Sequence, residues 1–276
     1  KLLPEKNAAT NRLSVDHERR ILAKSRAYRA YLRRFFKRQL KEVLERLDQN
    51  FSRVDGAISG MSRKKAGEWL GVHKDEVDRI LFDISKANAE LTEGSGPYLE
   101  NFLLDGAEHA FATIGMQDIV FDLTDVRVLS WLAEKNIKIK DINTTTLEGL
   151  RQELIEGFAN GESIKEMAKR VEKVFENADK VRSLRIAQTE ANTAANRGNL
   201  EGYIQSGVVE KKEWLAGPGA RSSHIAAAAR YQGAGAIPID ADFYVGDGHG
   251  PAPGSIGLAE EDINCRCSIN PVVRRD

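Results

Sequence analysis

Residues 179–219, DKVRSLRIAQTEANTAANRGNLEGYIQSGVVEKKEWLAGPG, hold the transition that decides the fold. As far as Ser206 the string reads as one or two helices with small residues along one side. From Val208 its character changes: VVEKKEWL is strand-like and ends in a Gly-Pro-Gly turn. Two further strand-like pieces follow, GAIPIDADF at 235–243 and DINCRCSINPVV at 262–273, separated by turns rich in Gly and Pro. Residues 208–276 therefore predict a small β-rich unit resting on the helix before it.

Upstream of the transition the pattern is helical. Ile21, Tyr28, Tyr31, Leu32, Phe35, Phe36, Leu40, Val43, Leu44 and Leu47 recur at spacings of three and four, one apolar stripe on a long helix that Ser14 or Asp16 can cap. The opposite face is basic, and such a helix must pack against other helices or a partner. HKDEVDRILFDISKANAEL at 73–91 reads as a further helix. TEGSGP at 92–97 reads as a breaker leading into the helical YLENFLLDGAEHAFATIGM, and LTDVRVLSWLAEKN offers Trp131 as a packing anchor. Thr145 before Glu148 and Ser163 before Glu166 both have capping-box spacing, and they predict a helical hairpin. The architecture is α+β: a mainly helical N-terminal part over residues 1–140, then a small mixed C-terminal domain over 141–276 with short strands.

The 276 residues are enough for a sizeable core, and 41% hydrophobic with 30% charged content is that of a folded protein. The formal net charge of +0 hides segregation, for residues 12–46 are rich in Arg and Lys whereas the stretch from Glu90 to Glu156 is acidic. No apolar run approaches a membrane span, and no secretory h-region opens the chain, so a membrane role is not expected. The first residue is not Met, which points to a processed or truncated product.

Several motifs in order resemble the phage minor head proteins of the Mu F and SPP1 gp7 type. They are RIAQTEANTAANRGNLEGYIQSGVV with its R-x-x-x-T-E-x-N-x-A-x-N-x-G frame, KKEWLAG, Ser223-His224 before an Ala-rich stretch, IPID, and the closing NCRCSINP. The resemblance covers about residues 141–273. It implies a non-enzymatic head-morphogenesis protein, made in the bacterial host cytoplasm and held inside the virion near the portal vertex. Its implied partners are portal protein, capsid or scaffold, with non-specific double-stranded DNA nearby. Related domains have been compared with ADP-ribosyltransferases, but this chain lacks the Ser-Thr-Ser and Glu-x-Glu strings of such an enzyme.

Cys265 and Cys267 are the only cysteines, and an extended i,i+2 pair does not suit disulfide geometry. The resemblance suggests a zinc knuckle, because family members sometimes carry C-x-x-C where this chain has Arg221-Ser-Ser-His224. His224, Cys265 and Cys267 are then three metal ligands, with water, Asp247 or His249 for the fourth position. The alternative is that the cysteines are small buried hydrophobes and His224 bonds a turn. A three-ligand site also admits a metal-dependent hydrolase, although no H-E-x-x-H, serine elbow or carboxylate pair accompanies it. Thr189, Glu190, Asn192, Asn196 and Arg197 read as a polar helix face buttressing the β unit. Arg33, Arg34, Lys37 and Arg38 are the candidate phosphate contacts, and a DNA-binding escort of the genome end is the competing function.

Overall fold

The computed structural model describes residues 4–274, with side chains from residue 12 onward. A mainly helical N-terminal region precedes a smaller C-terminal domain containing short antiparallel strands. The helices are α1 (Pro4–Ala57), α2 (Arg63–Val72), α3 (Lys74–Asp78), α4 (Ile84–Thr113), α5 (Val126–Lys138), α6 (Asp141–Ala159) and α7 (Ile164–Asn177). A π-helical turn at Ala178–Arg182 leads into α8 (Ser183–Ser206). After it come β1 (Val209–Leu215), α9 (Ser222–Arg230), β2 (Ile237–Pro238), β3 (Phe243–Val245), β4 (Gly248–Gly250), α10 (Ala259–Asp262) and β5 (Ser268–Val273).

These elements form two compact units, each assembled from separated stretches of chain. One unit takes Ala30–Gly94 and Lys135–Leu184. Its core includes Phe35, Phe36, Val43, Leu150, Leu154, Phe158, Met167, Val171 and Phe175, all buried. Gln39 donates to Asn143 at 2.9 Å, and the Arg182 guanidinium lies over the Phe36 ring while bonding Thr146 and the Ile142 carbonyl. The capping box at Ser163 and Glu166 is present as expected and opens α7.

The other unit takes the chain up to Arg29, Ser95–Glu134 and everything from Arg185 on. Here α8 crosses α4 at very short range. A Cβ on Gly198 would lie 1.9 Å from the Leu103 carbonyl oxygen, and one on Gly106 would lie 2.1 Å from that of Ala195. Only glycine allows this approach, which explains the Asn-x-Gly end of the α8 motif. β1 is the middle strand of an antiparallel sheet ordered β2-β1-β5, with Trp214 opposite Ile269, while β3 and β4 form a separate hairpin. Trp214 is fully buried and meets Phe243 edge to face at 5.2 Å. Phe243 in turn meets Tyr231 at 5.1 Å.

Several local expectations are corrected. Ser14 and Asp16 are interior to α1, which begins at Pro4, a residue suited to a first helical turn. Thr145 is also interior: α6 begins at Asp141, and the Thr145 hydroxyl donates to the Asp141 carbonyl. TEGSGP does not break its helix, because α4 runs straight through it with Pro97 inside. A Cβ at Gly94 would fall 2.2 Å from the Tyr31 hydroxyl, so this glycine makes room for a ring. Conversely, 73–91 is two helices rather than one. Ile80, Leu81 and Phe82 turn inward, and Asp83 restarts the helix by accepting the Ser85 and Lys86 N–H groups. Residues 208–276 are less β-rich than expected, since the Ala-rich stretch forms α9.

Candidate metal centre

The sheet, α9 and the segment before β5 bring His224, Cys265 and Cys267 together. His224 lies in the first turn of α9, 1% exposed, its ring edge-on to Trp214 at 5.3 Å. Its Nε2 is 2.8 Å from Glu261 Oε2, and its Nδ1 faces the two sulfurs, 3.2 Å from Cys267 Sγ and 3.7 Å from Cys265 Sγ. A carboxylate only accepts, so Glu261 requires the proton on Nε2 and leaves Nδ1 free to donate its lone pair. The three donor atoms all lie within 4.8 Å of one another.

The cysteine segment is positioned by α8. Thr189 Oγ1 accepts the N–H of Asn264, the residue that takes a left-handed backbone (φ 59) just before Cys265. The Cys267 carbonyl accepts from Asn196 Nδ2 at 2.9 Å and Asn192 Nδ2 at 3.4 Å. The buttress expected of Thr189, Asn192 and Asn196 is therefore a specific one: they fix the backbone that carries the thiols. Arg197 instead pairs with buried Glu201 at 2.8 Å, and Glu190 is half-buried.

Electrostatics separate the two thiols. The Cys265 side chain hydrogen-bonds to Cys267 and pulls its pKa down to about 5, against burial and with help from His224 and the Gly217 N–H. That same bond, with burial, holds the Cys265 thiol well above its usual range. His224 is raised: burial opposes its charge, but Cys267 and Glu261 outweigh burial. Soft sulfur and imidazole donors gathered this closely, with the far ring nitrogen held by a carboxylate, are compatible with three of the four ligands of a tetrahedral zinc-type ion.

The other sequence candidates lie elsewhere. His249 is exposed on β4 and bonded to Asp242 at 2.9 Å, and neither it nor exposed Asp247 joins the cluster. Arg221, at the position where the resemblance puts a ligand, donates instead to the Glu261 and Ile263 carbonyls. Glu261 went unnoticed in the sequence, because an acid run such as Glu260-Glu261-Asp262 gives no sign of which carboxylate turns inward.

Among the basic candidates, Arg33 makes a two-pronged pair with Asp179 at 2.8 and 3.0 Å, and Arg38 pairs with Glu90. Arg34 and Lys37 are exposed. The aromatics interleaved with them, Phe35 and Phe36, are fully buried and offer no face to a nucleic-acid base. No helix among the described residues is long and apolar enough to cross a membrane.

Comparison with known proteins matches residues 148–270 to the model of the family described as Phage Mu protein F like protein. The match spans α8, β1, β2, the first half of β5 and all three cluster residues. The NAD(+)-arginine ADP-ribosyltransferase EFV of Enterococcus faecalis (strain ATCC 700802 / V583) is 28% identical over 139 residues. That alignment covers 47% of this chain and 28% of the Enterococcus protein, so the chain spans well under a third of the curated relative it matches. No solved structure matches.

Proposed function

With residues 148–270 belonging to the Phage Mu protein F like family, we propose that the chain is a minor head protein that acts in phage head morphogenesis from inside the capsid near the portal. The observation that carries this reading is that the matched segment contains the α8 frame together with the NCRC segment it positions. In this reading residues 141–276 carry the family module, and 1–140 dock on portal, capsid or scaffold. The role is positional rather than catalytic, and copy number is set by the partner ring.

His224, Cys265 and Cys267 hold a zinc ion in this reading. The support is the convergence of Nδ1 and both sulfurs, with Glu261 on the far side of the imidazole. Zinc there ties the first turn of α9 to the segment before β5. DNA packed within a head would meet Arg34 and Lys37, so a non-specific phosphate contact accompanies the assembly role.

A second reading comes from the Enterococcus relative, whose name carries transferase activity. Less than a third of that protein is aligned, and this chain has neither a Ser-Thr-Ser nor a Glu-x-Glu string, which favours the assembly role.

The deciding experiment is a tagged pull-down from cells producing phage heads, with nuclease treatment and mass spectrometry. Portal and major capsid proteins retained in fixed proportion after nuclease are expected. Their absence, with nucleic acid retained instead, would favour the DNA-escort function, and NAD-dependent labelling of arginine by the purified chain would favour the transferase.

A further inference from the structure

Among the described residues nothing fills the fourth tetrahedral position that the three donors leave, and the surrounding contacts indicate what does. A cavity of about 320 Å³ opens directly on the cluster, lined by all three donor residues and by Gly217, Gly219, Arg221 and Asn264. The oxygen donors nearby are committed elsewhere. Glu261 Oε2 faces the Nε2 side of His224 and also accepts from Ser223, away from the sulfurs. Asp262 accepts the N–H groups of Ile256 and Gly257 through its two oxygens. Arg221 lines the cavity, but its guanidinium cannot coordinate, and it turns to the backbone carbonyls of Glu261 and Ile263.

Gly217 is part of the same lining. Its N–H points at Cys267 Sγ, and a Cβ there would fall 2.3 Å from the Arg266 carbonyl oxygen, so no side chain can grow into the space from that side. A structural zinc site closes its shell with four protein ligands, whereas a site with three keeps a position for an exchangeable ligand. Resting on the zinc reading above, the geometry points to an open metal site: the ion bound by His224, Cys265 and Cys267 takes its fourth ligand, a small monodentate donor, from the cavity. Arg221 is the residue that keeps the site open. It preserves the cross-link between the start of α9 and the 261–263 segment without contributing a donor.

The test is to load the full-length reduced chain with cobalt(II), whose ligand-field and sulfur charge-transfer bands report the donor set, and then to titrate imidazole. A cobalt–thiolate spectrum that changes saturably with imidazole is expected. In Arg221→Cys the Cys-x-x-His spacing supplies the fourth donor, so the imidazole response should be lost and a chelator should strip the metal more slowly. If this variant does not fold, the wild-type titration decides alone. A cobalt–thiolate spectrum indifferent to imidazole would overturn the open site and leave zinc binding standing. No thiolate band at all would overturn both.

Discussion

His17 shows how one buried side chain makes stability depend on pH. It is 3% exposed, its Nε2 is 2.8 Å from Asn192 Oδ1, and Arg20 and half-buried His109 lie close by with Asp105. Burial, opposed by the Asn192 bond and reinforced by the Arg20 charge, pulls its pKa from 6.5 to about 4. The unfolded chain therefore binds this proton more readily than the folded one. The neutral ring's contribution is complete above about pH 6.5, is lost as pH falls toward 4, and is constant below that. Over that window the loss is on the order of 3 kcal/mol for this single group. Melting temperatures between pH 7 and 4.5 should fall steeply for the wild type and less steeply for His17→Gln, with His109, whose pKa is likewise near 4, contributing to what remains. Parallel curves for the two proteins would contradict the assignment. Nothing in the sequence marks His17 as buried, since its partner Asn192 lies 175 residues away.

At the scale of elements, helix glycines divide into those that permit an approach and those that do not, and sequence alone does not separate them. Gly198 abuts the Leu103 carbonyl, whereas a Cβ at Gly149, inside α6, would meet nothing within 4 Å. Gly198→Ala must push α8 away from α4 and should cost at least about 2 kcal/mol, because backbone cannot yield as a side-chain tip can. Gly149→Ala should instead stabilise by about 0.5–1 kcal/mol through helix propensity. Chemical denaturation of both variants checks the pair, and equal effects would refute it. The same distinction explains which elements were legible. The apolar stripe of α1, the capping box of α7 and the change from helix to strand at Val208 are local signals, and they read correctly. The continuity of α4 through TEGSGP is hidden because the first of its two glycines, Gly94, makes room for Tyr31, and the break before Asp83 is hidden because Ile80, Leu81 and Phe82 are buried and the Leu81 carbonyl accepts from Arg46, 35 residues away. The grouping of His224, Cys265 and Cys267 is legible through the resemblance, while the places of Glu261 and Arg221 depend on contacts about 40 residues apart.

For the whole molecule, the neutral net charge hides a pairing of α1 cations with acids elsewhere in the same unit. Asp105 takes Arg20 and Lys24, Asp179 takes Arg33, Glu90 takes Arg38, and Glu76 takes Arg53. The basic run that looks like a nucleic-acid surface is thus partly spent on the chain's own acids. The exposed pairs among them, such as Arg38 with Glu90, add little stability, but they do compete with phosphate for the same guanidinium. Arg34 and Lys37, exposed and without a carboxylate partner among the described residues, are left to attract phosphate. If DNA contact accompanies assembly, its strength should rest on these two. Replacing both with Gln should reduce the magnitude of the slope of log affinity against log salt by about 2, the loss expected for two phosphate contacts, with no change in melting temperature. Replacing Arg33 and Arg38 should do the reverse, lowering the melting temperature slightly while leaving the salt slope nearly intact. Fluorescence anisotropy of a labelled duplex across a salt series measures both. If all four substitutions weaken binding equally, the internal pairs open on DNA and the whole basic face is available to it. If none does, DNA contact does not run through this face of α1.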